Sequence, residues 1–329
     1  MVDFALSQQM QNIKHESAIR RFQRSDVLFK RGTQFAALLV LVMFVGIIWA
    51  LYSGAKLSID AFGLNFLWTQ AWNPVTEKFG ALAALYGTLV TSTIAIIIAV
   101  PMGIGIAIFL TELCPRALRR PVGIAVELLA GIPSIIYGIW GLFVLAPLLQ
   151  HTVQPWLIET FADVPILSIL FAGPPYGIGI LTAGLILAIM VLPFISAISR
   201  DVFEAVPPPL KEAAYALGCT KWEVLWRVVL PFARGGVMGG VMLALGRALG
   251  ETMAVTFVIG NANRISASLL APGTTISATI ANEFTEAVGD LYYSALIELA
   301  LLLFLVTFVV LAIAQFMLYR LERRAGGRS

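Results

Sequence analysis

Long runs of apolar residues recur six times along this 329-residue chain, and each is long enough to cross a lipid bilayer. A helical span needs about 20 predominantly apolar residues, and a helix satisfies its own backbone hydrogen bonds in lipid. The runs lack the alternating polarity of a membrane β-barrel. We therefore expect an all-α membrane protein with six transmembrane helices, at residues 33–52, 81–110, 122–149, 177–198, 235–260 and 292–318.

The overall composition agrees with a membrane protein. Hydrophobic residues make up 59% of the chain and charged residues only 12%, whereas soluble domains carry about 25% charged residues. The two cysteines, Cys114 and Cys219, fall in segments that we expect to be cytoplasmic, so no disulfide is predicted. This composition excludes a soluble protein with an unusually large core.

Basic residues are concentrated in alternate connecting segments. They occur in the N-terminal tail, residues 1–32, between the second and third spans, in the polar segment 201–234, and in the C-terminal tail, residues 319–329. The positive-inside rule therefore predicts that both termini are cytoplasmic and that residues 33–318 form the membrane domain. A nucleic-acid partner is not expected for so hydrophobic a chain.

Glycine and proline residues predict local irregularity in two of the spans. In the third span, the sequence GIPSIIYGIWG contains Gly131 and Pro133, which favour a broken or irregular helix. In the fifth span, small residues allow another helix to approach closely, although they can also serve packing alone. This predicted glycine ridge consists of Gly235, Gly239, Gly240, Gly246 and Gly250.

The sequence shows no enzyme signature. It contains neither a P-loop for nucleotide phosphates nor a metalloprotease motif, and its two histidines lie in a tail and an outer loop. No Ser, His and acid set is placed for nucleophilic catalysis. We therefore expect no catalytic residue, no metal site and no cofactor, and any ATP hydrolysis must belong to a partner.

Arg247 and Glu251 are charged residues inside the apolar fifth span. A charge at the centre of a span costs roughly 2.5 to 3.5 kcal/mol, which favours a functional position facing protein or water. Their four-residue spacing predicts that they lie on one helix face, one turn apart, and neutralise each other. We interpret them as residues of a substrate path, with a static salt bridge between helices as the alternative.

The polar segment before this span contains a spaced motif. Glu212, Ala213 and Ala214 are followed by Gly218 and then by the dipeptide Leu230–Pro231. This arrangement resembles the EAA loop of ABC importer permeases, which implies a short coupling helix that docks on a cytoplasmic ATPase. EAAYALG is a good helix former that ends at a glycine. An amphipathic helix resting on the membrane surface is the alternative.

Four segments carry a second resemblance: WNPVTEKFGALAALYGTLVTS, AVPMGIGIAIFLTEL, LLAGIPSIIYGIWGLFV and LALGRALGETMAVTFVIGN. They are similar to the phosphate-specific permeases of bacterial ABC importers, most of all to the PstC type. The resemblance implies a type I importer permease fold in the bacterial inner membrane. It also implies four kinds of partner besides membrane lipid: a related PstA-type permease in a heterodimer, two ATPase subunits, a periplasmic phosphate-binding protein, and inorganic phosphate as the substrate.

Other functions remain open at this stage. A permease for another oxyanion, such as sulfate or molybdate, would share the EAA loop, although GRALGET and GIPSIIYG favour phosphate. A stand-alone channel or secondary transporter would have no use for that loop and usually shows inverted repeats or more spans. A membrane enzyme is disfavoured by the missing catalytic sets.

Overall fold

The structure is a computed structural model that describes the backbone of residues 2–326 and the side chains of residues 26, 28–115 and 117–320. The basic side chains expected in the tails before residue 26 and after residue 320 lie outside the described side chains. Within the described backbone the fold consists of helices, which are, in chain order, α1 (Val2–Phe62), α2 (Asn65–Trp68), α3 (Leu82–Ile108), α4 (Arg116–Ala130), α5 (Ser134–Trp140), α6 (Ala146–Leu148), α7 (Gln154–Thr160), α8 (Pro165–Leu170), α9 (Ile180–Glu204), α10 (Pro208–Ala216), α11 (Lys221–Val224), α12 (Leu230–Leu249), α13 (Met253–Val258), α14 (Ile276–Glu283) and α15 (Asp290–Gly326).

Six helical stretches among the described residues are long and apolar enough to cross a membrane. Several of these stretches include a π-helical turn beside an α-helix, such as Phe109–Leu113 and Leu225–Val229. Described residues form no sheet beyond one isolated bridge, between Asn73 and Lys78. The all-α fold with six spans is therefore confirmed, with the candidate spans at Leu28–Phe62, Leu82–Leu113, Ser134–Thr160, Ile180–Glu204, Lys221–Leu249 and Asp290–Arg320.

The chain divides into two compact units, Met1–Ser53 and Gly54–Ser329. In the first unit most apolar side chains from Leu28 onward are exposed, as expected of a helix that faces lipid. The second unit contains the remaining spans and the buried core. All the features described below belong to the second unit.

Helix α9 is the central element of this unit. It packs along α3 on one side and α12 on the other, and most of its apolar residues are buried. The main core cluster joins it to α3, α12, α13 and α14 through residues such as Ala95, Ile186, Ala244 and Val255. Because α9 is enclosed on several sides, it provides the fixed frame on which neighbouring side chains are positioned.

Glycines on α12 allow it to approach α9 closely. A Cβ at Gly240 would lie 2.8 Å from Ile198, and one at Gly236 would lie 2.5 Å from Val202. The predicted ridge is thus right for Gly240, but a Cβ added at Gly239 would meet nothing within 4 Å. Gly236, which is not part of the predicted ridge, makes the other close contact. It lies four residues before Gly240 and therefore on the same helix face.

We predict that Gly240→Val destabilises the protein by about 1–3 kcal/mol, because the new methyl groups must displace Ile198 on α9. Gly239→Val is the matched control: it carries the same change in helix propensity but enters open space. Thermal unfolding of the two purified variants in detergent, followed by circular dichroism, compares them directly. Equal unfolding temperatures would show that close packing of α9 on α12 contributes nothing measurable.

The third span differs from its predicted range of 122–149. Helix α4 ends at Ala130, and the membrane-crossing stretch begins only after Pro133, at Ser134. Proline lacks an N–H and disfavours helical backbone in the residue before it, which accounts for the interruption. Tyr137 donates a hydrogen bond of 2.7 Å from its hydroxyl to the carbonyl of Leu129. The irregularity is therefore where Gly131 and Pro133 predicted it, but it separates two helices.

Carbonyls of α13 and of the loop after it satisfy the N-terminus of α9. The N–H of Gly179 donates to Val258 at 2.9 Å, and the N–H of Leu181 donates to Leu269 at 2.8 Å. The first N–H groups of a helix have no partner within it. The last residue of α13 and the loop that follows it supply these partners, so both are held against the end of the central helix.

Candidate functional site

Arg247 lies in the last turn of α12 and is exposed on the surface of the chain. Its guanidinium carbon lies 5.4 Å from the centre of the Phe194 ring on α9. Phe194 is fourteen residues after Ile180 and ten residues before Glu204, the two ends of α9. At 1.5 Å per residue these separations are about 21 Å and 15 Å. The guanidinium therefore lies beside the middle of α9.

The predicted pairing of Arg247 with Glu251 is wrong. Helix α12 ends at Leu249 and is capped by Gly250, so Glu251 lies beyond the helix and not one turn along it. No ion pair joins the two side chains. The physical reason is Gly250, because glycine ends helices readily. The prediction from the four-residue spacing did not take this glycine into account.

Glu251 has partners of its own after the helix break. Its carboxylate accepts a long hydrogen bond of 3.5 Å from the N–H of Ala254, in the first turn of α13. Its carbonyl accepts a 2.7 Å hydrogen bond from the Ser277 hydroxyl on α14. Glu251 is therefore fixed to the elements after the break, whereas Arg247 belongs to the helix before it.

The surroundings of Arg247 hold the cation without neutralising it. An aromatic face attracts a cation through its ring quadrupole, and Phe194 provides such a face. No described carboxylate forms an ion pair with Arg247. The planar guanidinium fork matches the oxygens of a phosphate or carboxylate. The arrangement is thus suited to an oxyanion that reaches Arg247 from its exposed side. Nothing in the sequence indicates that Phe194 contacts Arg247, because the two residues are distant along the chain.

The segment with the EAA motif forms a helix–turn–helix at the end of α9. Helix α10 carries Glu212 to Ala214 and ends with Gly218 at a φ of 85°. The N–H of Gly218 bonds to Tyr215 and that of Cys219 to Ala214, which is the Schellman pattern of a helix C-terminus. Thr220 then begins α11 as an N-cap. The predicted short helix ending at a glycine is present.

The motif residues divide into two groups. Glu212, Ala213, Gly218 and Pro231 are exposed. The other two, Ala214 and Leu230, pack against a buried cluster beneath the loop. This cluster contains Ala107, Phe203, Val206, Val224, Leu225, Val229, Ala233 and Val237. The first group is therefore free to contact a partner, and the second anchors the loop to the membrane domain.

Gly218 is required for its backbone conformation and not for lack of space. A Cβ there would meet nothing within 4 Å in this chain. Its φ of 85° lies in the left-handed region, which side chains disfavour. The surface over Gly218 is accordingly open, as a docking surface requires.

An ion pair fixes α10 to the end of the second span. The Lys211 ammonium lies 2.6 Å from the Glu112 carboxylate, and both side chains are largely buried. Burial, and then the nearby Glu112 carboxylate, raise the pKa of the Tyr215 phenol. The sequence offered no indication of this pair, because its two members are far apart along the chain.

Large apolar side chains are exposed on the surface of the EAA segment. Leu217 is 86% exposed, Trp222 65% and Trp226 53%. The two indole rings lie 5.4 Å apart. A contiguous exposed patch of this kind marks an interaction site on a protein or a membrane.

The chain matches known proteins over most of its length. The sequence profile of the family described as "Binding-protein-dependent transport system inner membrane component" matches residues 99–326. A phosphate transport system permease protein PstC from Mesorhizobium japonicum is 67% identical over 94% of this chain and 95% of its own. PstC of Pasteurella multocida is 57% identical over 92% and 94%. A probable PstC from Methanocaldococcus jannaschii is 39% identical over 92% and 96%.

Solved structures show the same fold at lower sequence identity. A chain of a bacterial alginate ABC transporter superposes with a TM-score of 0.58 at 19% identity, over 89% of this chain and 96% of that one. A chain of the inward-facing MetNI methionine ABC transporter gives a TM-score of 0.50 at 19% identity, over 74% and 94%. These similarities place the helices described above within the ABC importer permease fold.

Proposed function

Because the chain belongs to the PstC family of phosphate transport system permease proteins, a multi-pass component of the cytoplasmic membrane, we propose that it is the membrane-spanning permease subunit of an ATP-driven phosphate importer. In this role it forms half of the translocation path and couples to a separate ATPase. The chain itself is a transport component and performs no ATP hydrolysis.

One observation carries this proposal at the level of chemistry: an exposed Arg247 beside the middle of α9, backed by Phe194 and not paired with a described carboxylate. Phosphate is a strongly hydrated anion, and its passage requires a cation and hydrogen-bond donors in place of water. Charge-assisted bonds to a guanidinium fork supply both. Glu251, fixed beyond the helix break, lines the path next to Arg247 and repels anions that are not bound to the guanidinium.

The exposed position of Arg247 implies a second wall for the path. We infer that a related PstA-type permease subunit provides it, so that the substrate passes between two subunits in a heterodimer. A periplasmic phosphate-binding protein delivers phosphate on the outer side. On the cytoplasmic side, two ATPase subunits drive the cycle.

The EAA segment is the proposed contact with the ATPase. Glu212, Ala213, Gly218 and Pro231 present the exposed surface, and Leu217 and the two tryptophans add apolar area. Aromatic residues in such a patch are typical anchors of protein interfaces. Ala214 and Leu230 contribute indirectly, because they hold the segment on its buried cluster.

Reconstitution tests the proposed function. The chain is assembled in liposomes with its partner permease and ATPase, and uptake is measured with the binding protein outside and ATP inside. We expect ATP-dependent accumulation of phosphate and none when the ATPase is omitted. Accumulation of sulfate or molybdate in place of phosphate would assign another oxyanion. Phosphate flux without the ATPase would indicate a channel or secondary transporter.

The orientation of the chain in the membrane is a separate prediction. We expect Asp290, at the start of the last span, to be outside and Lys221, in the EAA segment, to be cytoplasmic. In a background without other cysteines, Asp290→Cys should react with an impermeant thiol reagent added to intact cells, and Lys221→Cys should react only after lysis. Labelling in the reverse order would refute this topology.

A further inference from the structure

A recess of about 370 Å³ lies beside Arg264, in the loop that follows α13. Its lining includes the hydroxyl side chains of Tyr176, Ser266 and Ser268. At about 30 Å³ per water molecule the recess holds on the order of ten waters. It therefore has room for a small oxyanion that keeps part of its hydration shell.

Hydrogen bonds between separate segments hold the walls of this recess. The Ser268 hydroxyl donates to the carbonyl of Ala172 at 2.6 Å, and the Tyr86 hydroxyl of α3 donates to the carbonyl of Ser266 at 2.9 Å. The Ser266 hydroxyl oxygen accepts from the N–H of Ser268 at 3.1 Å, so its own proton is free to face the recess. The recess is thus a fixed feature of the fold.

The backbone leading to Arg264 is also constrained. Asn261 has a φ of 51°, which is unusual for a residue other than glycine. Its side-chain amide donates to the carbonyl of Thr256 at 3.2 Å, and the N–H of Ala262 donates to Gly273 at 2.9 Å. These two hydrogen bonds fix the backbone immediately before Arg264.

Arg264 is an isolated cation. It is the one Lys or Arg in the sequence between Arg247 and Arg320, and residues 121–199 contain none. It is exposed and forms no ion pair with a described carboxylate. No acidic residue is among the residues that line the recess. The positive charge is therefore available to an anion that enters from solution.

The recess lies at one end of the path that contains Arg247. Ala271, in its wall, accepts a 3.3 Å hydrogen bond from the N–H of Ile180, the first residue of α9. Arg247 contacts the same helix at Phe194, about 21 Å further along. Two uncompensated arginines therefore stand at the end and the middle of one helix, which is a suitable arrangement for guiding an anion inward.

We propose that Arg264, with the hydroxyl groups of Tyr176 and Ser266, forms an outer anion-binding site, which receives phosphate as a hydrated tetrahedral oxyanion before it reaches Arg247. This inference rests on the proposed phosphate transport and adds a first binding site to the transport path. The site is exposed, so it binds weakly and is screened by salt.

Chemical modification tests the site without requiring transport. Phenylglyoxal reacts with arginine side chains, and mass spectrometry follows the modification of Arg264 in the assembled importer in nanodiscs, with the binding protein left out. We expect inorganic phosphate to slow the modification of Arg264 relative to chloride at equal ionic strength, while exposed Arg320 on α15 reacts equally in both. Equal rates at Arg264 in phosphate and chloride would overturn the proposal.

Transport by Arg264→Gln separates an anion site from a docking contact for the binding protein. At saturating binding protein and low ionic strength we expect the maximal uptake rate to fall by about tenfold, with Arg264→Lys restoring most of it and the half-saturating concentration of binding protein unchanged. An unchanged maximal rate with a raised half-saturating concentration would assign Arg264 to docking and refute the anion site. Wild-type uptake in the same preparation checks the proposed function independently.

Discussion

Arg247→Gln should lower phosphate uptake by about 100-fold or more, because each charge-assisted hydrogen bond to the anion contributes about 1.5–3 kcal/mol and a guanidinium fork makes two. Glutamine retains a planar amide but loses the charge. Arg247→Lys retains the charge but loses the fork, so we expect an intermediate rate. Uptake is measured in the fully assembled importer, after its subunit content and basal ATPase activity have been checked.

Arg320→Gln is the matched control for this change. Arg320 also stands over an aromatic ring, with its guanidinium carbon 4.5 Å from the centre of the Phe316 ring, but it lies near the end of α15. Both substitutions remove one arginine from a phenylalanine face. We expect normal uptake in Arg320→Gln. If Arg247→Gln also transports phosphate at the normal rate, Arg247 is not a substrate contact.

Gly218→Asp should abolish ATP-dependent uptake while the protein still inserts and folds. Asp is among the residues that tolerate left-handed backbone, and the position has free space within this chain. The expected loss therefore comes from a carboxylate placed in the interface with the ATPase. An uncompensated buried charge costs about 3–5 kcal/mol, enough to weaken ATPase co-purification by more than about 100-fold.

Two variants isolate that cause. Gly218→Asn has nearly the same shape without the charge, so it should keep a substantial part of both co-purification and uptake. Gly289→Asp places the same carboxylate at another open glycine with positive φ, before the last span and on the opposite side of the membrane in our topology. It should transport normally. Full activity in Gly218→Asp would remove this loop from the ATPase contact.

Features that depend on local sequence were predicted well. Apolar runs of sufficient length located the six spans. A span must be long enough to cross the bilayer, and in lipid a helix satisfies its own backbone hydrogen bonds. Pro133 marked the break in the third span, and Gly218 marked the end of the helix in the EAA segment. In each of these cases a residue with an unusual backbone property determines the structure by itself.

Features that depend on distant contacts, or on competition between signals, were not predicted. The apolar character of residues 235–260 suggested one continuous helix, but Gly250 ends it and separates Arg247 from Glu251. The contact of Phe194 with Arg247 and the ion pair of Glu112 with Lys211 depend on how α9 and the second span pack against other helices. Pairings of this kind follow from packing, which periodicity within one segment does not encode.

Helix α12 joins the two proposed sites mechanically. It starts at the EAA segment, runs without interruption for 20 residues, and ends two residues after Arg247, a length of about 30 Å. A tilt of about 10° at the cytoplasmic end would therefore displace the guanidinium by about 5 Å. Glu251 would stay in place, because it lies beyond the break and is bonded to α14. The helix would act as a lever that pivots at the EAA segment, and the break at Gly250 would let its far end move relative to α13. Movement at the ATPase contact would then change the spacing between a fixed acid and a moving cation.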